Sequence, residues 1–434
     1  MDFQLARVAG AVHSTGNVLF APDDDRLFSA VGNRVACVDL RRQSCGAVGG
    51  FEARVDCDRL AVTSDGALLV VADVEGRLSA INVARRCVLH RLHLKARARD
   101  LAFSHDDGVL AVAGRKQVRL WRAPARRRRD LAPFAKLAAF GGFTRETACL
   151  RWSPDSTLLA VGADDASVRV FRVPTYDASL APPSDDDSDD EPAPTRVRPY
   201  LLAAHKESVV ACFWAEPSPD AASTLVSCAR DCVVCFWDLE KATGDDRRAS
   251  LGKKHFLWED ANDGELRGRD GRLVAAAHAS KARVFAAAFS TGVFAVYETS
   301  GVRRCACVHR LSVARGSVDA IALDASGSRV ALGSRRFGQL VVWDWRAESF
   351  VLKQQGHDHA ATCVAWSPDG RVVASGADDR KVKLWSDATG FCFATFADHA
   401  GPVTAVAVAR NVVFSASRDG TVRAYDLRRY RQFR

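Results

Sequence analysis

Ser375-Gly376-Ala377-Asp378-Asp379-Arg380-Lys381-Val382-Lys383-Leu384-Trp385 carries the pattern that decides the fold. A serine stands four residues before an aspartate, and the aspartate stands six before a tryptophan that ends an alternating, β-branched run. His357 lies upstream, separated from the serine by the turn Ser367-Pro368-Asp369-Gly370. Proline presets φ in such a turn and aspartate caps it, so the segment joins two strands as a hairpin. The register recurs in His399, Ser415, Asp419 and Tyr425, and again in His205, Ser227, Asp231 and Trp237. A buried aspartate is tolerated only when paired, and a histidine ring can tie it to a serine hydroxyl and an indole N–H in one satisfied network. The same residue types would suit a hydrolase triad. A nucleophile site occurs once, however, and needs an oxyanion hole, whereas this set repeats at a constant interval.

Working outward, the strand-plus-aromatic marker appears along the whole chain. Strong copies are Val118-Arg119-Leu120-Trp121, Val168-Arg169-Val170-Phe171 and Leu340-Val341-Val342-Trp343-Asp344. Weaker ones are Val35-Ala36-Cys37-Val38-Asp39, Leu78-Ser79-Ala80-Ile81 and Val293-Phe294-Ala295-Val296-Tyr297. With the three polar registers they make nine units, 40 to 66 residues apart. That spacing centres on the ~40–45 residues of a four-stranded propeller blade. Unit four has Val161 in the serine position and unit seven has Phe337 in place of the acid, so those units are expected to rely on packing. The fold class is therefore all-β, a β-propeller of nine blade-like repeats, with one closed seven-bladed propeller plus the start of a second. The expected division is a propeller over 1–315 and two or three further repeats over 316–434, opening a second propeller cut short at Arg434. Two stretches break the repeat: an acidic loop over 178–196 and an insertion over 244–272.

Composition narrows the function. The 434 residues are 48% hydrophobic and 26% charged, enough to bury a large core. The N-terminus has no leader-like pattern and no apolar run reaches the ~18 residues of a membrane span, so an intracellular chain without membrane contact is expected. The 13 cysteines are expected to be reduced. Cys232 and Cys235 are three apart on a strand and so face opposite ways, and neither Cys228 nor the pair Cys305 and Cys307 completes a ligand set. These cysteines are expected to be small buried strand residues, and no metal, cofactor or small-molecule substrate is implied. Phosphate-binding loops and HExxH motifs are lacking in the sequence, so nothing points to an enzyme.

The acidic stretch Asp185-Asp186-Asp187-Ser188-Asp189-Asp190-Glu191 reads as a solvated loop, with Ser184 and Ser188 as candidate phosphorylation sites. Setting its six acids aside lifts the formal net charge from +9 to +15. Arg126, Arg127, Arg128 and Arg129, with Arg428, Arg429, Arg431 and Arg434, are candidate contacts to RNA or an acidic partner. Lys253-Lys254-His255-Phe256-Leu257-Trp258, within the second break, reads as a strap packed on the propeller side, as a docking peptide, or as aromatics that stack on RNA.

The three polar registers resemble those of the WD40 family. The last third goes further: Trp343-Asp344-Trp345, Glu348 to His357, Thr389 to Phe396 and Asp419 to Arg434 look like the periodic tryptophan protein 2 family. Gly32-Asn33-Arg34-Val35, Phe140-Gly141-Gly142 and His205-Lys206 follow in similar order, so the resemblance spans the chain. It implies a non-catalytic scaffold of ribosome biogenesis in the nucleolus, a subunit of the UTP-B module of the small-subunit processome. Its partners would be other WD40 subunits, pre-rRNA and small nucleolar RNA. A generic WD40 adaptor, or a non-catalytic subunit of an RNA-modifying or chromatin complex, is the alternative.

Overall fold

Each unit becomes a sheet because its apolar runs are short, β-rich and punctuated by turns of fixed chemistry. In the unit containing Ser367, the serine hydroxyl donates to Asp369 (2.6 Å) and accepts from the Val372 N–H (2.9 Å), which closes the first hairpin. Ser104 with Asp106 and Ser153 with Asp155 repeat the arrangement in other units. Side chains alternate between the two faces of each sheet, and both faces are rich in alanine, valine, leucine and phenylalanine buried against a neighbour.

The computed structural model describes residues 13–14, 16–123, 134–173, 199–215, 224–239, 250–257, 271–299, 305–313, 317–334, 339–409, 411–429 and 431–432. Among them stand nine four-stranded antiparallel sheets, each built from strands consecutive in sequence. Seven form a ring. The first strands of its sheets, Val18–Phe20, Cys57–Val62, Asp100–Phe103, Thr147–Trp152, Val209–Trp214, Leu273–Ala279 and Ala320–Leu323, pack successively side by side. Val18–Phe20 then packs against Ala320–Leu323 and closes the circle around a central channel of 620 Å³.

This closure corrects the division expected after residue 315. The seventh sheet, 320–355, belongs to the ring because its inner strand is the one that meets the first sheet. The eighth and ninth sheets, 361–396 and 403–432, pack on each other through Ala374, Leu384 and Phe396 against Val403, Val413 and Tyr425. A second correction concerns 244–272. Ser250–Phe256 within it is the regular outer strand of the fifth sheet, paired from Val233↔Phe256 to Asp238↔Ser250. Lysines are at home on such an edge, where charge discourages further pairing. The acidic loop over 178–196 lies outside the described residues.

Among the described residues no strand is lent from one sheet to another, so the ring closes by packing, joined by the Ala325 N–H donating to Asp24 Oδ1 (2.9 Å) across the seam. Val18, Leu27 and Val38 of the first sheet meet Ala331, Leu340 and Leu352 of the seventh, and Phe391 of the eighth sheet enters the same cluster. Around Phe391 the polypeptide bridges both sides of the seam. The Cys45 N–H donates to the Thr389 carbonyl (2.6 Å), and the Cys392 N–H donates to Gln354 Oε1 (3.0 Å). Gly390 makes this approach feasible: its φ is +74° and a Cβ there would stand 2.7 Å from the Cys45 carbonyl oxygen. The hairpin of the eighth sheet is thus a clasp across the seam.

Phe391→Ala removes a buried ring at the clasp, a loss of roughly 3–5 kcal/mol for this class of substitution. The urea midpoint of the ring is expected to fall; an unchanged midpoint would show that the seam holds without the clasp.

Candidate functional site

The polar residues read from the sequence come together as three corners. In the eighth sheet His357 Nδ1 lies 3.0 Å from Asp379 Oδ2 and His357 Nε2 lies 2.8 Å from Ser375 Oγ, while Trp385 Nε1 donates to the same hydroxyl at 2.8 Å. In the fifth, His205 Nε2 is 2.7 Å from Ser227 Oγ, which accepts from Trp237 Nε1 at 2.8 Å; Asp231 stands 3.8 Å from His205 Nδ1 and accepts from the Lys206 N–H. In the ninth, His399 joins Asp419 (2.9 Å) and Ser415 (2.7 Å). The aromatic corner there differs from expectation. Tyr425 stacks on Phe396 with centroids 4.1 Å apart, and its buried hydroxyl makes no hydrogen bond among the described residues. A phenol carries its polar atom at the tip of the ring, farther from the backbone than an indole N–H, so this position contributes packing.

These corners hold turns; they do not do chemistry. Ser227 and Ser415 are almost fully buried and each hydroxyl is occupied by histidine, so no substrate reaches it. Burial alone would raise the Asp379 carboxyl, but hydrogen bonds from His357 and from the Asp358 and Lys381 N–H groups outweigh it and hold the pKa down to about 2. Asp231 is lowered by the same balance, and Asp419 is held well below the usual carboxylate range, chiefly by Thr421. Four of the buried cysteines are held as thiols. Burial pushes the thiols of Cys232 and Cys235 up to about 11 and those of Cys45 and Cys57 up to about 12, far from a neutral-pH thiolate. Cys307 corrects the expectation of burial: it lies exposed on the outer strand Ala306–Ser312.

Sequence reading missed two further polar pairs. His13 Nδ1 lies 2.9 Å from Ser29 Oγ, both buried, and the His13 ring packs where a Cβ on Gly333 of the seventh sheet would clash. Trp343 Nε1 donates to His309 Nε2 of the neighbouring sheet at 3.0 Å. Neither follows the serine–acid spacing, so only the fold reveals them. The channel wall is stitched in the same manner between sheets: Arg151 meets Asp100 at 3.3 Å, Arg59 donates to the Arg99 carbonyl, and Arg99 pairs with Glu146.

Of the candidate cationic contacts, Arg428 and Arg429 are exposed at the end of the ninth sheet. Arg126 to Arg129, Arg434, the side chain of Arg431, Ser184 and Ser188 lie outside the described residues. The expected strap contributes Lys254, whose ammonium donates to the Ala204 carbonyl, and Phe256, exposed on the edge strand. Large apolar side chains are also exposed on the last two sheets. Val364 (66%), Trp366 (58%) and Phe393 (43%) lie on the eighth, and Val422 (73%) and Phe414 (41%) on the ninth. These side chains lie on the outer faces of the two sheets, away from the contact between them.

Comparison with known proteins agrees with the geometry. The family model "WD domain, G-beta repeat" matches residues 137–172, 197–238, 348–386 and 390–426. Periodic tryptophan protein 2 of Arabidopsis thaliana is 30% identical over all of this chain and 52% of its own length. The periodic tryptophan protein 2 homolog of Mus musculus is 29% identical over all of this chain and 49% of its own. The chain thus spans about half the length of the curated relatives it matches. Among solved structures, U3-55K superposes with a TM-score of 0.57 over 76% of this chain and 90% of that one, at 14% identity, a likeness of fold.

Because the folded Asp379 carboxyl titrates near 2, below the ~3.9 of an unfolded aspartate, its contribution is complete above about pH 4 and is lost as pH falls toward 2. Unfolding midpoints measured from pH 5 to pH 2 are expected to fall less steeply in Asp379→Asn; equal slopes would count against the pairing. Ser375→Ala, which strips the partner from both Trp385 and His357, is expected to cost about 1–3 kcal/mol in the same assay at neutral pH.

Proposed function

Since the chain is a WD40-repeat protein related over its whole length to the periodic tryptophan protein 2 family, we propose that it is a non-catalytic scaffold of ribosome biogenesis. It would act within the small-subunit processome in the nucleolus, holding protein subunits, pre-rRNA and small nucleolar RNA in place. The whole-length relationship carries this reading, because fold alone leaves the role of a propeller open.

The geometry supports a platform. A ring of seven sheets presents the two ends of its channel and an outer edge strand on each described sheet, enough surface for several partners at once. The exposed apolar faces of the eighth and ninth sheets add surface suited to protein contact. Formal net charge of +9 favours a polyanion among the partners.

Depletion of the protein from its source cell is expected to accumulate unprocessed small-subunit rRNA precursor, read on RNA blots. Normal mature small-subunit rRNA after efficient depletion would overturn the reading. Co-purification with an RNA-modifying enzyme in place of small-subunit precursor would move it to another assembly.

A further inference from the structure

The third sheet reverses the charge at one position, where the first, sixth and seventh sheets carry Gly32, Thr291 and Phe337 and the remaining five an acid. Six residues before the marker, the second, fourth, fifth, eighth and ninth sheets carry Glu75, Asp165, Asp231, Asp379 and Asp419. The third carries Arg115 there, followed by Lys116, and has Ala111 where the polar corners have serine. The corner is accordingly dismantled: the buried Nε1 of Trp121 finds no acceptor among the described residues. The turn has given up a structural carboxylate and presents two cations instead, both exposed.

Those cations border a groove of 210 Å³ between the second and third sheets. Its floor is Leu94, Ala98, Val112 and Ala113, its rim is Arg97, Arg115, Lys116 and Arg119, and no carboxylate lines it. Arg97 is neutralised by Asp58 at 2.7 Å, and Arg119 donates to the Leu94 carbonyl at 3.0 Å. Arg115 and Lys116 form no ion pair among the described residues. Some arginines of the ring find acids, as Arg34 does with Glu52, Arg41 with Asp25, Arg77 with Glu75 and Arg99 with Glu146. Like charges gathered around a concave, low-dielectric floor focus a positive potential. A guanidinium offers paired donors and an ammonium a point charge, the combination that suits a phosphate.

We propose that this groove holds a backbone phosphate of single-stranded RNA. The inference deepens the scaffold reading above and rests on it for the choice of RNA. A linear polyanion is favoured over an isolated phosphate because exposed cations continue beyond the groove, with Arg91 on the outer strand Cys87–His93 and Lys95 just after it. The apolar floor gives a ribose a surface to rest on beside the phosphate.

The test is binding of the full chain to a fluorescent oligouridylate across a salt series. In R115A/K116A the slope of log K against log salt is expected to shrink by about 0.7, the loss of one phosphate contact. Affinity at low salt should fall at least tenfold. R115K/K116R should retain the slope, and K281A, an exposed cation on a distant turn, should leave it unchanged. Wild-type protein that does not bind the oligomer, or a double variant with an unaltered slope, would overturn the proposal. A phosphoserine peptide that competes as well as RNA of equal charge would assign the groove to a phosphoprotein and overturn it too. The two readings fail separately. Normal rRNA after depletion, with groove-dependent binding intact, sinks the scaffold role; precursor accumulation with groove-independent binding sinks the groove.

Discussion

A four-stranded sheet with apolar side chains on both faces has no stable existence alone, because each face must be covered. That constraint organises the molecule. Seven sheets satisfy it by covering one another in a circle, so the last to be laid down must meet the first. The eighth and ninth cover each other on one side, and their outer sides keep Val364, Trp366 and Val422 in solvent. Buried packing in the ring and exposed apolar surface beyond it are two outcomes of the same requirement.

Polar chemistry is subordinate to this arrangement. Serine, histidine and aspartate meet where the hairpin turns must be pinned at the rim, and their hydrogen bonds satisfy groups that packing would otherwise strand. Arginines spanning adjacent sheets, such as Arg97 to Asp58 and Arg151 to Asp100, do the same work between blades. The depressed carboxyl of Asp379 and the raised thiols of Cys45 and Cys57 are consequences of structure, and none of them is poised for reaction.

The parts of this fold legible in the sequence are those set by local spacing. Serine, acid and aromatic at fixed intervals identify the sheets and place His357, Ser375, Asp379 and Trp385 within hydrogen-bonding reach of one another. Long-range choices were not legible. Nothing near residue 320 announces that its strand will meet Val18–Phe20, so the boundary was drawn one blade early. Ser250–Phe256 lacks the apolar alternation of an inner strand because its outer edge faces water, and it read as an insertion. Phe391 is visible as a hairpin residue, but its place between Cys45 and Gln354 depends on the closure itself. Tyr425 shows the limit from the other side: the register is right, and what the position contributes is a ring stacked on Phe396.

Because every described sheet is drawn from one unbroken stretch of chain, the strands of each can begin to pair, without yet being stable, as soon as its own residues leave the ribosome. The circle cannot. Its first sheet is complete by Ala47, yet the partner for its open side ends at Gln355 and the clasp arrives with Phe391. For most of its synthesis the nascent chain is therefore an open arc with a bare apolar face at each end, the condition in which partly folded chains aggregate or capture the wrong neighbour. The slow step in the life of this protein is expected to be the meeting of its two ends, and the time of greatest need for a chaperone falls before residue 391 has emerged.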